Sequence, residues 1–204
     1  MSAWLRRRNP SGFCVACDVM VKNLRGRYLL AGRNLRQPEF FRTVVLVVEH
    51  NETGSMGLVL NRPTEVEVRA ALAGHFELPE ANDPVYFGGP VEPNALFLLH
   101  DAAEQSGGEL PVLPGLFVGA NAEVFEKIVT TAAATGAKYK VFAGCAGWGP
   151  GQLEGELSRG DWLTAPAETG AVFQADPYEQ WDQLINEVDR HPLFPESRGD
   201  PRCN

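Results

Sequence analysis

The run Thr43–Val48, TVVLVV, limits the fold more than any other feature of the chain. It shows neither the alternation of a half-exposed strand nor the spacing of an amphipathic helix. It therefore reads as a β-strand buried on both faces. Met56–Asn61 follows after a turn carrying Asn51 and Gly54, which predicts a hairpin. Val85–Phe87, Ala95–Leu99, Gly115–Val118, Tyr139–Ala143 and Ala171–Gln174 are further strand candidates.

Three helices carry start signals. Thr64 with Glu67 forms a capping-box pattern after Pro63, with Gly74 as the stop. Asn121 caps a second helix with Val124, Phe125, Ile128 and Ala132 on one face and Gly136 at its end. Asp176 as N-cap, Pro177 and Glu179 open a third, with Tyr178, Trp181, Leu184, Ile185 and Val188 on its buried side. Strands come in groups between single helices, so the pattern predicts an α+β fold with a mixed sheet rather than a regular βαβ array. Residues 1–25 read as an N-terminal extension, 26–189 as a single domain with room for a small subdomain, and 190–204 as a flexible tail.

Composition narrows the function classes. Eighteen basic against 26 acidic residues give a net charge of −8, which disfavours direct binding to a phosphate backbone. The chain has neither a helix-turn-helix pattern nor a basic face. Four cysteines among 204 residues are no disulfide framework and fit a reducing cytoplasm. No apolar run is long enough to span a bilayer. Arg6–Arg8 followed by FCVAC mimics an export signal, but Pro10, Ser11 and Gly12 interrupt it, so export is not expected.

The best candidate site is Gly144–Leu157, GCAGWGPGQLEGEL. A strand runs into a glycine-rich turn with Gly147, Trp148 and Gly151, and a helix begins at Gln152, with Leu153 and Leu157 toward the core. Free N–H groups at such a helix start suit an anion. The spacing matches neither GxGxxG nor a P-loop, however, and Glu154 and Glu156 occupy the same positive end. Either Trp148 packs a tight turn, or the turn presents a ligand or partner site. Glu49 and His50 end one strand of the hairpin and Asn61 and Arg62 end the other, so the two pairs lie at opposite ends. Gly88 and Gly89 form a turn in FGGPV, and His100 with Asp101 ends a later strand. No HxH or HExxH spacing is present, and nothing calls for a metal or cofactor. Cys14-x-x-Cys17 lacks the second ligand pair that zinc needs. Cys145 is a conceivable nucleophile with no assignable base.

The stretches LLAGRNL, PEFFRTVVLVVEHNETGSMGLVLNRP, VYFGGPV with a later LLHD, AGWGPGQLEGEL and the DW at residue 162, in that order, resemble the AlgH/YqgE family of bacterial proteins. The resemblance spans residues 26–186. It implies a mixed bifurcated sheet folded toward a pseudo-barrel with packed helices, and a poorly defined role in transcriptional regulation. Gln37, Cys145 and Gly160 depart from the family pattern of Asp, an aromatic residue and Asn.

Three hypotheses follow. The leading one is a non-catalytic cytoplasmic binding or regulatory protein with an unidentified protein or small-molecule partner. The alternative is a hydrolase using His50 or His100 with nearby carboxylates, which requires His50, His100 and Glu154 to converge in one cleft. A direct DNA binder is the third.

Overall fold

A computed structural model describes residues 23–74, 82–119 and 121–190. The Cys14–Cys17 pair and most of the expected extension and tail lie outside the described residues.

Among the described residues, nine strands form one open mixed sheet. They are β1 (Arg27–Ala31), β2 (Val44–Asn51), β3 (Gly54–Val59), β4 (Pro63–Glu67), β5 (Pro84–Phe87), β6 (Val91–His100), β7 (Phe117–Gly119), β8 (Tyr139–Trp148) and β9 (Trp162–Pro166). The main order is β4-β5-β8-β3-β2-β1-β9. In β2, Val44 through Val48 are all buried, as the continuous apolar run predicts, because β1 and β3 flank it and apolar layers cover both faces. The β2–β3 hairpin pairs Val45 with Val59 and Asn51 with Gly54.

The sheet branches at β8, which has three partners. Its first half runs parallel to β5, from Val85↔Val141 to Phe87↔Ala143. Its second half runs antiparallel to β3, from Gly57↔Ala146 to Ser55↔Trp148. Along its other edge it pairs with β6, from His100↔Tyr139 to Val91↔Cys145. The change of neighbour falls at Gly144, where φ is +71°. Gly88 bridges the branches, donating to the Ala143 carbonyl at 2.9 Å and accepting from the Val59 amide at 3.0 Å. A Cβ on Gly88 would be driven into the Gly144 carbonyl oxygen, and one on Gly144 into that of Gly89. The close backbone approach therefore requires glycine on both strands.

Five α-helices among the described residues cover the sheet: α1 (Val68–Ala71), α2 (Ala122–Thr135), α3 (Gln152–Ser158), α4 (Thr169–Gln174) and α5 (Gln180–Arg190). The Asn121 side chain accepts the Glu123 and Val124 amides, and Gly136 closes α2 at φ +73°. Phe125, Ile128, Val129 and Ala132 of α2 are buried, the first three in a core with Val85, Leu98 and Val141. In the larger core, Trp181 of α5 donates its indole N–H to the Ala31 carbonyl at 2.9 Å.

Four expectations are corrected. Thr64–Glu67 is strand rather than a helix start: the Thr64 hydroxyl donates to the Val85 carbonyl across the ladder, and only Val68–Ala71 is helical. Ala171–Gln174 is helix, turned by the Val172 amide bonding back to the Glu168 carbonyl, because a short apolar run carries no decisive period. Asp176 opens a turn before α5, which starts at Gln180, and Tyr178 is 79% exposed. The GCAGW segment is not a turn but the second half of β8. Strands β1 and β9 are absent from the sequence-based expectation, and they pair with each other over Arg27↔Pro166 to Ala31↔Trp162.

Candidate functional site

The GWGPGQLEGEL segment folds around Glu156. β8 delivers Trp148, α3 delivers Gln152 and Glu156, and β9 delivers Trp162. One oxygen of the Glu156 carboxylate accepts both indole N–H groups, each at 2.8 Å. The other accepts the Gln152 amide N–H at 2.9 Å, four residues back on the same helix face. The Gln152 carbonyl oxygen accepts the Gly149 amide at 3.1 Å, which fixes the turn. Phe40 stacks on Trp148 at 6.5 Å and meets Trp162 edge-on at 5.5 Å. Trp148 and Trp162 are 7% and 2% exposed. Gly151 starts α3 at φ +71°, and Gly147 pairs with Met56 beside the Val91 side chain. This carboxylate receives donors from three side chains, so it organises the turn rather than facing solvent as a reagent.

Glu156 was not among the sequence candidates. Its signal was a Gln–Glu pair four residues apart between two tryptophans.

Glu154 points the other way, to His50. Its carboxylate lies 3.6 Å from His50 Nε2, and His50 Nδ1 is 2.8 Å from the Ser55 hydroxyl. Ser55, His50 and Glu154 thus form a polar chain at the hairpin tip, and Ser55 is the member that spacing did not single out. Glu49 instead lines a small cleft with Arg25, Met56 and Phe97.

His100 is elsewhere. It pairs with Tyr139 at the start of β8, whereas Ser55 pairs with Trp148 at its end. Nine residues of strand separate them, on the order of 30 Å. His100 is fully buried, bonds Glu109 at 2.9 Å through Nε2 and stacks on Phe117. Asp101 accepts the Lys138 amide. The convergence of His50, His100 and Glu154 therefore does not occur: the first and last meet, and His100 is buried at the far end of β8.

Asn61 and Arg62 mark the opposite end of the hairpin from His50. The Asn61 carbonyl oxygen accepts the Val44 amide at 2.9 Å and its NH2 donates to the Arg42 carbonyl at 3.0 Å. That bridge holds the 37–43 loop, in which Arg42 takes φ +55°. The Arg42 guanidinium lies 4.8 Å above the Trp181 ring and pairs with Asp182. The Arg62 guanidinium donates to the Phe41 carbonyl, the one hydrogen bond of its side chain among the described residues. Asn61, Arg62, Phe41, Pro63 and Tyr178 line an open cleft of about 280 Å³. Gly88 and Gly89 serve the sheet branch described above.

Cys145 is 5% exposed, and burial, with Glu92 adding to it, pushes its thiol pKa up, away from the reactive thiolate. No group of three His, Cys, Asp or Glu residues suited to a metal occurs among the described residues. No helix among them is long and apolar enough to cross a membrane.

Residues 28–192 match the sequence pattern of a family described as AlgH-like. A UPF0301 protein of Chlorobaculum tepidum is 40% identical over 161 residues, 78% of this chain and 84% of that one. A UPF0301 protein of Myxococcus xanthus is 38% identical over 177 residues, 85% of this chain and 96% of that one. The solution structure of the AlgH protein from Pseudomonas aeruginosa superposes with a TM-score of 0.65 at 31% identity, covering 93% of this chain and 94% of that one. The crystal structure of a Corynebacterium diphtheriae protein gives 0.63 at 25% identity, covering 79% and 85%.

Proposed function

The chain belongs to the AlgH-like family, and from that premise we propose that it is a non-catalytic cytoplasmic binding protein whose partner docks at the Asn61–Arg62 cleft. One observation carries this reading: exposed aromatic surface and a largely uncommitted guanidinium share that cleft. Phe41 is 41% and Tyr178 79% exposed, and Arg62 lines the same cleft. Aromatic residues and arginine are the side chains that dominate recognition surfaces. The strongest sequence motif, by contrast, uses its polar atoms internally around Glu156. Any control of transcription then runs through the partner, since the net charge of −8 opposes DNA.

Pull-downs with wild type, Phe41→Ser and Tyr178→Ser test the reading. Both variants alter exposed positions, so the fold is retained and a shared set of partners is lost. Identical partner sets from three equally folded proteins would sink it. Trp148→Ala is unsuitable, because it opens the Glu156 network.

A second reading rests on the Ser55–His50–Glu154 chain, which has the nucleophile, base and acid of a hydrolase. It predicts labelling by a fluorophosphonate that Ser55→Ala abolishes. Equal labelling of both proteins, or none, removes it.

A further inference from the structure

We propose that the partner segment taken by the Asn61–Arg62 cleft is acidic and aromatic: a carboxylate side chain seats on the Arg62 guanidinium, and a neighbouring aromatic ring packs against Phe41 and Tyr178. The inference rests on the cleft reading above and names the chemistry of the segment that the cleft selects.

The charges of the lining point to an acid. Arg42, Arg62 and Asp182 are its charged side chains. Arg42 and Asp182 pair with each other. Arg62 forms no ion pair among the described residues, whereas the exposed Arg33, Arg42 and Arg159 each have a carboxylate partner. A guanidinium has five N–H donors, and Arg62 spends one on the Phe41 carbonyl. Two cations against one anion leave the cleft with a surplus positive charge, in a chain of net charge −8. At physiological salt the rest of that charge is screened beyond about 8 Å, so the local guanidinium decides what is drawn in.

The surroundings favour a carboxylate on a peptide. Arg62 is half-buried in a cleft also lined by Phe41, Pro63, Pro177 and Tyr178, and apolar surroundings strengthen a charged hydrogen bond. A carboxylate matches two parallel N–H groups of one guanidinium. A phosphate carries nearly two charges and would meet Asp182 in the same cleft. At about 280 Å³ and open to solvent, the cleft takes side chains of a larger body rather than enclosing a small molecule. Exposed Phe41 and Tyr178 offer ring faces and edges to an aromatic neighbour of the acid.

Titration of the full chain with Ac-Phe-Glu-Phe-NH2, Ac-Phe-Gln-Phe-NH2 and Ac-Phe-Lys-Phe-NH2, followed by amide NMR shifts, tests it. The glutamate peptide should give saturable shifts at residues 41–42, 61–62 and 178–182. The glutamine peptide should bind there about tenfold more weakly and the lysine peptide not at all. Arg62→Gln should make the glutamate and glutamine peptides equal, and Arg62→Glu should reverse the order in favour of lysine. Equal binding of the three peptides, a glutamate preference that survives in Arg62→Gln, or no saturable glutamate-peptide shifts at these residues would each overturn it. The docking cleft itself is judged separately, by the Phe41→Ser and Tyr178→Ser pull-downs, which do not depend on the charge of the segment.

Discussion

Trp148 and Trp162, one on each side of α3, donate their indole N–H groups to the same oxygen of Glu156. The strand before the helix and the strand after it are thereby tied through a single carboxylate. Removing it leaves two nearly buried donors unmet, each worth about 1–3 kcal/mol. Glu156→Ala is expected to destabilise the protein by about 2–4 kcal/mol in urea unfolding. Glu154→Gln, two residues away and facing His50, should stay within about 0.5 kcal/mol of wild type.

Asn61 uses both ends of its amide, one on the Val44 N–H and one on the Arg42 carbonyl. Asn61→Asp keeps the acceptor but loses the donor, and sets a carboxylate oxygen against a carbonyl. Urea unfolding should show a loss of about 2 kcal/mol. Arg62→Ser removes a side chain that donates only to the Phe41 carbonyl, and should cost less than about 1 kcal/mol.

The glycines divide into two kinds. Gly88→Ala forces a Cβ against the Gly144 carbonyl at the sheet branch and should cost on the order of 3 kcal/mol or more. Gly151→Ala meets open space and suffers only from its φ of +71°, about 1–2 kcal/mol. Thermal unfolding of the pair distinguishes close approach from backbone conformation.

Lys140 is buried on β8 with its ammonium 4.6 Å from the Tyr86 ring, and burial pulls its pKa down to about 8. Between pH 8 and the unfolded value of 10.5 the folded chain holds fewer protons than the unfolded one, so stability rises with pH there. Tyr28 and Tyr139, pushed up to about 12, reverse the trend above pH 10, where the unfolded chain loses its phenol protons first. The rise is therefore read between pH 8 and 10 by urea unfolding. Lys140→Met should abolish it and stabilise the protein at pH 7 by about 1–3 kcal/mol.

What could be read from residues was local. TVVLVV announced a strand buried on both faces, and Asn121 with Gly136 announced both ends of α2, because each signal is contained in its own segment. Strand β9 escaped because it joins the sheet only by pairing with β1 across more than half the chain, and β1 escaped because its place between β2 and β9 is set by that pairing. The Thr64 capping box failed because a ladder with β5 competed for the same hydroxyl. The candidate site followed the same rule. His50 with Glu154 was legible as a pair of reactive types, but their meeting through a hairpin tip, and the separation of His100 along β8, are properties of register. Glu156 depends on partners that only tertiary structure supplies.

Photo-crosslinking from the Asn61–Arg62 cleft addresses the proposed binding role most directly. Benzoylphenylalanine replaces Tyr178 in one protein and Glu126, exposed on α2, in another, and both are irradiated in cells. The cleft reading predicts a discrete crosslinked product from position 178 that Arg62→Ser or Phe41→Ser removes, and none from position 126. Products that are the same at both positions, or none at position 178, would contradict it.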